Sequence, residues 1–167
     1  MQGFNLKDAG TPELLSLFAQ VLDQLRDREV VRSGNDPVAD YCESLVVRAL
    51  NLARKGGSNK GCDALDDLTG KRYEIKGRRI TRFNPSTQLS VFRELDSCHF
   101  DYLAGVLLDS DFTVTRACCV PWAVVKECAT YRNHVNGWIM HLAPSVWERS
   151  GVRDITQELK RAQSEWP

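Results

Sequence analysis

The sequence predicts an α/β fold in which a central mixed β-sheet is flanked by helices. Helical periodicity marks both ends of the chain, and two apolar segments typical of buried strands lie between them, at 102–109 and 112–120. The 167 residues, 43% of them apolar, suffice for one domain with its own core. We therefore expect a single domain over 1–167, with a helical extension at 1–33, a core at 36–147 and a C-terminal helix at 148–167.

The two N-terminal helices are predicted from capping residues and periodicity. Thr11 is the expected cap of the first helix, and five apolar residues then recur at helical spacing: Leu14, Phe18, Val21, Leu22 and Leu25. Asp36 and Pro37 should begin the second helix, which we expect to end near residue 54. Its apolar side chains cover most of its circumference, so Glu43 in its middle needs either the edge of the buried face or a partner inside.

Shorter elements complete the prediction. Segments 62–66 and 71–77 read as the strands of a hairpin with its turn at 67–70, followed by an irregular loop at 78–90. The connector at 55–61 is rich in glycine. A short helix is expected from Pro121 to about residue 128, a strand within 131–141, and a final helix on the spacing of Ile155, Leu159 and Ala162.

Composition excludes several classes of protein. Lys plus Arg and Asp plus Glu both number 22, and this neutral balance argues against a strongly basic nucleic-acid binder. No apolar run approaches the roughly 18 residues of a membrane span, and the N-terminal residues do not resemble a secretory signal. The six cysteines include no C-x-x-C pair. We therefore expect a cytoplasmic protein with reduced thiols, no membrane association and no structural zinc.

Two carboxylates and one ammonium group are expected to converge at an edge of the sheet. Alternate side chains of a strand share a face, so Glu74 and Lys76 point the same way, and the hairpin brings Asp63 near them. This set suits metal-assisted phosphodiester cleavage. Mg²⁺ prefers carboxylate and phosphate oxygens, and a lysine can hold or deprotonate the attacking water. The backbone carbonyl of Ile75 is a further candidate metal ligand.

The spacing of these residues resembles the motif of the PD-(D/E)XK nuclease superfamily, which includes many restriction endonucleases and repair nucleases. Asp63 is followed, after ten residues, by Glu74-Ile75-Lys76. Glu43 matches an acidic residue that many members carry on a preceding helix, whereas Cys62 departs from the proline of the motif. Over about 36–147 the chain also looks like a bacterial subfamily of these nucleases.

The resemblance implies a restriction-endonuclease-like core of helix, three-stranded meander, helix and strand. It implies that Asp63, Glu74 and the Ile75 carbonyl bind Mg²⁺, with Mn²⁺ as a substitute. Lys76 would position or activate the attacking water. Glu43 would assist, either through a second metal ion or through a hydrogen bond to a metal ligand.

A basic segment overlaps the motif and suggests a nucleic-acid partner. Segment 71–82 contains one negative residue, Glu74, and six positive ones: Lys71, Arg72, Lys76, Arg78, Arg79 and Arg82. We expect Arg78, Arg79 and Arg82 to hold phosphates and Gln88 to read a base edge, with a solvated charged face as the alternative. The predicted function is a metal-dependent DNA endonuclease. The alternative is a non-catalytic nucleic-acid-binding or interaction module that retains the fold, and a homodimer that cuts both strands is left open.

Overall fold

The computed structural model describes residues 5–33, 36–55 and 61–166, and over these ranges the chain forms four α-helices and eight strands. The helices are α1 (Thr11–Asp27), α2 (Val38–Leu50), α3 (Trp122–Cys128) and α4 (Thr156–Ser164). The strands are β1 (Ala53–Arg54), β2 (Ala64–Leu65), β3 (Arg72–Arg79), β4 (Tyr102–Leu108), β5 (Val114–Pro121), β6 (Thr130–Arg132), β7 (Gly137–Ile139) and β8 (Arg153–Asp154). The predicted α/β class is confirmed.

The main sheet is mixed, as predicted. In the described part of the chain it has six strands in the order β1-β2-β3-β4-β5-β8. β1, β2 and β3 form an antiparallel meander, β3 pairs parallel with β4, and the remaining pairs are antiparallel. Between β3 and β4 the structure has one 3₁₀ turn at Leu95–Ser97. The helix that the family resemblance implied at this point is therefore absent from segment 80–101, all of which the structure describes.

Apolar layers cover both faces of the sheet. On one face, α2 and α4 pack against the strands, and Leu45, Ile155 and Leu159 are fully buried there together with Ile75 of β3. On the other face, the long segment between β3 and β4 packs with α3 and the chain around residue 140. β4 is buried along almost its whole length because its side chains alternate between these two layers.

Helix α2 approaches β3 closely at Gly77. A Cβ atom at this position would lie 2.1 Å from Cys42 Sγ, so any larger residue would push the helix away from the strand. Glu43 follows Cys42 in α2, and Gly77 follows Lys76 in β3. The close packing therefore fixes the helix that carries Glu43 against the strand that carries Glu74 and Lys76.

The helix boundaries differ from the prediction in two places. Gly10, not Thr11, is the N-cap of α1, and its N–H donates to Glu13 Oε2 at 2.8 Å. Helix α2 ends at Leu50 rather than near residue 54, because Asn51 adopts a left-handed backbone with φ of 53° and the next residues form β1.

The cap of α2 and the apolar stripe of α1 both differ in part from the sequence prediction. The N-cap of α2 is Pro37, one residue after the predicted cap Asp36, whose Oδ1 accepts a hydrogen bond from the Val38 N–H at 2.9 Å. In α1, Leu22 is the one buried member of the predicted apolar stripe, and Phe18 is exposed. Among the described residues, no helix combines the length and the apolarity needed to cross a membrane.

The strand predictions hold for the hairpin, with Ala64 opposite Tyr73, and for β4 and β5, and the predicted short helix is α3. Strand β3 is longer than predicted and includes Arg78 and Arg79, which the sequence assigned to a loop. Segment 131–141 holds parts of two strands, β6 and β7, because the chain reverses at Asn136, whose φ is 48°. Residues 56–60 of the predicted connector lie outside the described residues.

Candidate active site

Glu74 and Lys76 form an ion pair on one face of β3. Lys76 Nζ lies 3.0 Å from Glu74 Oε1, and the side chains of Lys76 and Glu74 are only 12% and 24% exposed. The alternation of the strand puts them on the face opposite Ile75, which is buried against α2. The two residues are therefore neighbours, as the sequence predicts, and are largely shielded from water.

Asp63 is held against the same strand by hydrogen bonds from its main chain and its side chain. The Asp63 N–H donates to the Tyr73 carbonyl at 2.8 Å, and Asp63 Oδ2 accepts from the Ile75 N–H at 2.7 Å. These contacts lie on either side of Glu74 along β3. The structure thus brings Asp63, Glu74 and Lys76 together, although they come from different segments of the meander.

Burial and neighbouring carboxylates act in the same direction on the Asp63 carboxyl. Burial raises the pKa of Asp63 to about 7, and the Glu74 and Glu43 carboxylates add to the rise. The Ile75 N–H and the Lys76 ammonium oppose it without cancelling it. A carboxyl whose pKa is raised by burial and by neighbouring negative charge gains from any additional positive charge.

Glu43 approaches the cluster from α2 and lies in the field of two arginines, of which Arg32 contacts it. Its side chain forms an ion pair with Arg32, from the segment that precedes the helix. Burial raises the pKa of Glu43, Arg32 and Arg54 lower it, and Asp40 and Glu74 raise it further. Glu43 is therefore within electrostatic reach of Glu74 and Asp63, as the resemblance implies.

Arg54 is a member of this region that sequence reasoning missed. It lies in β1, donates a hydrogen bond to Ser44 Oγ, and Ser44 Oγ in turn donates to the Val30 carbonyl at 2.9 Å. Its Nε is buried without a hydrogen-bond partner in the described part of the chain. A basic residue four positions after a largely apolar helix that carries a glutamate was the available signal in the sequence.

The segment between β3 and β4 covers Lys76. Lys76 Nζ lies 4.8 Å from the centre of the Phe92 ring and 3.3 Å from Ser90 Oγ. Phe92 is buried and anchored to the chain at β7, since its N–H donates to the Trp138 carbonyl and its carbonyl accepts from the Trp138 N–H, both at 2.9 Å. These contacts restrict the Lys76 ammonium to the vicinity of Glu74.

The predicted phosphate-binding residues do not share one surface. Arg78 lies on the Lys76 face, and its Nε donates to the Ser86 carbonyl at 3.1 Å. Arg79 lies on the other face, where its Nε donates to the Ser110 carbonyl at 3.0 Å and its guanidinium covers the Phe112 ring. Arg82 is exposed in the turn that follows β3. Gln88 is half-buried and its backbone bridges to His141.

The oxygen atoms around Asp63 suit a hard divalent cation. The N–H and C=O of a strand residue point to the same side, so the Ile75 carbonyl is directed toward the side on which its N–H meets Asp63. Two carboxylates and one carbonyl match the preference of Mg²⁺, which keeps several waters besides. Over the described residues, no three His, Cys, Asp or Glu side chains are close enough to form a metal site by themselves.

The arrangement combines two carboxylates, one backbone carbonyl, a shielded ammonium and a third carboxylate, that of Glu43, within electrostatic reach. Such a set can stabilise negative charge that develops on a phosphate and can position a water molecule beside it. Comparison with models of protein families and with curated proteins found no match for this chain. The chemistry of these residues therefore carries the functional argument.

Proposed function

We propose that this protein is a Mg²⁺-dependent DNA endonuclease with a restriction-endonuclease-like fold of the PD-(D/E)XK type. The observation that carries the proposal is the contact of Asp63 Oδ2 with the Ile75 N–H, beside the Glu74–Lys76 ion pair. The meander of β1, β2 and β3, followed by the parallel pairing of β3 with β4, supports the proposed fold.

Each residue of the site has a distinct role in this proposal. Asp63, Glu74 and the Ile75 carbonyl would hold the cation. When bound, Mg²⁺ supplies Lewis-acid stabilisation of the phosphate and lowers the pKa of a water ligand. The Lys76 ammonium donates hydrogen bonds to the attacking water and to the phosphate, offsetting the negative charge of the transition state.

Glu43 acts indirectly in the proposal. Its carboxylate raises the pKa of Asp63 and is itself paired with Arg32. It would therefore add negative charge near a bound cation, and it would assist either through a second metal ion or through a hydrogen bond to a metal ligand.

Metal dependence is the first test. Nicking of supercoiled plasmid should require Mg²⁺ or Mn²⁺ and should stop in excess chelator, whereas Ca²⁺ should permit binding with little cleavage. Ca²⁺ is larger and more loosely coordinated, so it stabilises the transition state less well. The control is Lys76→Ala protein purified in parallel, which detects contaminating nuclease. Full cleavage in chelator by wild-type protein alone would contradict the metal site.

The basic residues provide the second test. Arg82→Gln should reduce the slope of log K against log salt concentration by about 0.9, the value for one phosphate contact on duplex DNA. Arg79→Gln is the matched control and should leave the slope unchanged, because Arg79 lies on the opposite face and is bonded to Ser110. Equal slopes for wild type and Arg82→Gln would mean that Arg82 does not contact a phosphate.

A further inference from the structure

The chain reverses direction just after β3, in a turn at 81–84. The Thr81 N–H donates to the Asn84 carbonyl at 3.1 Å, and the Asn84 N–H donates to the Thr81 carbonyl at 3.0 Å. Thr81 Oγ1 accepts a further hydrogen bond from the Asn84 N–H at 3.1 Å. Arg82 and Phe83, at the tip, are therefore presented by a turn whose backbone is fixed by several hydrogen bonds.

Phe83 exposes an aromatic ring to solvent. Its relative exposure is 82%, and the Arg82 guanidinium lies over the ring with its carbon 4.5 Å from the ring centre. A ring in this position gains almost none of the free energy that burial of an aromatic side chain provides in folding. It does offer a flat apolar surface combined with a positive charge.

The turn lies at the end of the row of side chains that contains Lys76. After the turn the chain returns along the same face of β3, where Arg78 Nε contacts the Ser86 carbonyl and Lys76 Nζ contacts Ser90 Oγ. Thr81 lies five positions after Lys76, which is about 16 Å of extended chain. This length corresponds to roughly five stacked bases of one strand.

We propose that Phe83 stacks on an unpaired base of a nucleic-acid strand whose phosphate is neutralised by Arg82. This inference rests on the proposed function and narrows its substrate class to nucleic acids with a single-stranded or locally unpaired segment about five nucleotides from the cleaved bond. Base–aromatic stacking tolerates all four bases, because each has a π-face. Phe83 therefore contributes affinity for unpaired strands without reading sequence.

Leu68 provides a matched control for an exposed apolar side chain. It lies at the tip of the turn between β2 and β3 and is 94% exposed. Its neighbours Asp66 and Asp67 are acidic and repel phosphates, so Leu68 should make no contact with nucleic acid. Substitution of Leu68 removes a comparable apolar surface without affecting the proposed stacking.

The experiment measures binding by fluorescence anisotropy in Ca²⁺ with wild type, Phe83→Ala, Phe83→Trp, Arg82→Gln and Leu68→Ala. The probes are a labelled single-stranded DNA of about 20 nucleotides, long enough for a typical single-strand site, and the duplex of the same sequence. We expect Phe83→Ala to bind the single strand about 10-fold more weakly or worse, with a smaller effect on the duplex. Phe83→Trp and Leu68→Ala should bind like wild type.

Salt dependence separates stacking from charge. Phe83→Ala should weaken binding without changing the salt slope, whereas Arg82→Gln should reduce the slope on single strands by about 0.7. An unchanged affinity of Phe83→Ala, in protein that binds and cuts DNA, overturns this inference and leaves the proposed function standing. An equal loss for Leu68→Ala also overturns it. Failure of wild type to bind either probe overturns both.

Discussion

Lys76→Ala should lower the turnover of DNA cleavage by about two to four orders of magnitude and leave DNA binding nearly unchanged. The ammonium acts mainly on charge that develops in the transition state, and the carboxylates remain to hold the cation. The measurement is single-turnover plasmid cleavage in Mg²⁺, with filter binding in Ca²⁺ on the same preparations. Lys71→Ala, which removes an exposed lysine just before β3, is the control and should cut like wild type.

This substitution also separates the two classes of function. A non-catalytic module has no turnover to lose, so Lys76→Ala would only weaken its binding. A wild type that binds but never cuts any DNA or RNA, with a mutant that binds more weakly, contradicts the enzyme. Equal cleavage by both proteins removes Lys76 from the mechanism. Thermal unfolding of each preparation confirms that the variant is folded.

Asp63→Asn should abolish metal-dependent cleavage and at the same time stabilise the protein at alkaline pH. The side-chain amide that replaces the carboxylate can still accept a hydrogen bond from the Ile75 N–H, but it carries no charge to bury beside Glu74. The pKa of Asp63 rises from 3.8 to about 7 in the folded state. Folding therefore retains a proton that the unfolded chain releases, and wild-type stability falls as pH rises from about 4 to about 7.

The free-energy cost of burying the ionised Asp63 carboxylate is fully present above pH 7. It disappears below pH 3.8, the pKa of Asp63 in the unfolded chain. We expect Asp63→Asn to be more stable than wild type by about 2–4 kcal/mol at pH 8 and no more stable near pH 4. Urea unfolding at both values measures this, with the exposed Asp67→Asn as the control. Mg²⁺ should raise the stability of wild type but not of Asp63→Asn, because it binds the folded site. Equal stability at pH 8 would refute the raised pKa.

The central residues of the site could be predicted because they depend on local geometry. Strand alternation puts Glu74 and Lys76 on one face, and a four-residue turn brings Asp63 back to the same strand. The same alternation puts Arg79, three residues after Lys76, on the opposite face. The sequence prediction missed the position of Arg79 because it ended the strand at residue 77. Side chains of a loop do not alternate between two faces as those of a strand do.

The partners of the site could not be predicted because their contacts depend on how separate segments pack together. Arg32 reaches Glu43 through the packing of the chain that precedes α2, and Phe92 covers Lys76 from the connection between β3 and β4.

The predicted N-caps depend on local sequence, and both were wrong by one residue: Gly10 caps α1 instead of Thr11, and Pro37 caps α2 instead of Asp36. The apolar stripe of α1, including Phe18, is largely exposed in the structure. Periodicity predicts the apolar face of a helix, but it does not predict whether another element covers that face.

The most direct test of the nuclease site is plasmid cleavage by wild type and by the double variant Asp63→Asn/Glu74→Gln, purified identically. The double variant keeps the size of both side chains and removes both negative charges. We predict that wild type converts supercoiled plasmid to the nicked form in Mg²⁺ and that the double variant does not. Equal cleavage by the two proteins, or no cleavage by a wild type that binds the plasmid, would contradict the account.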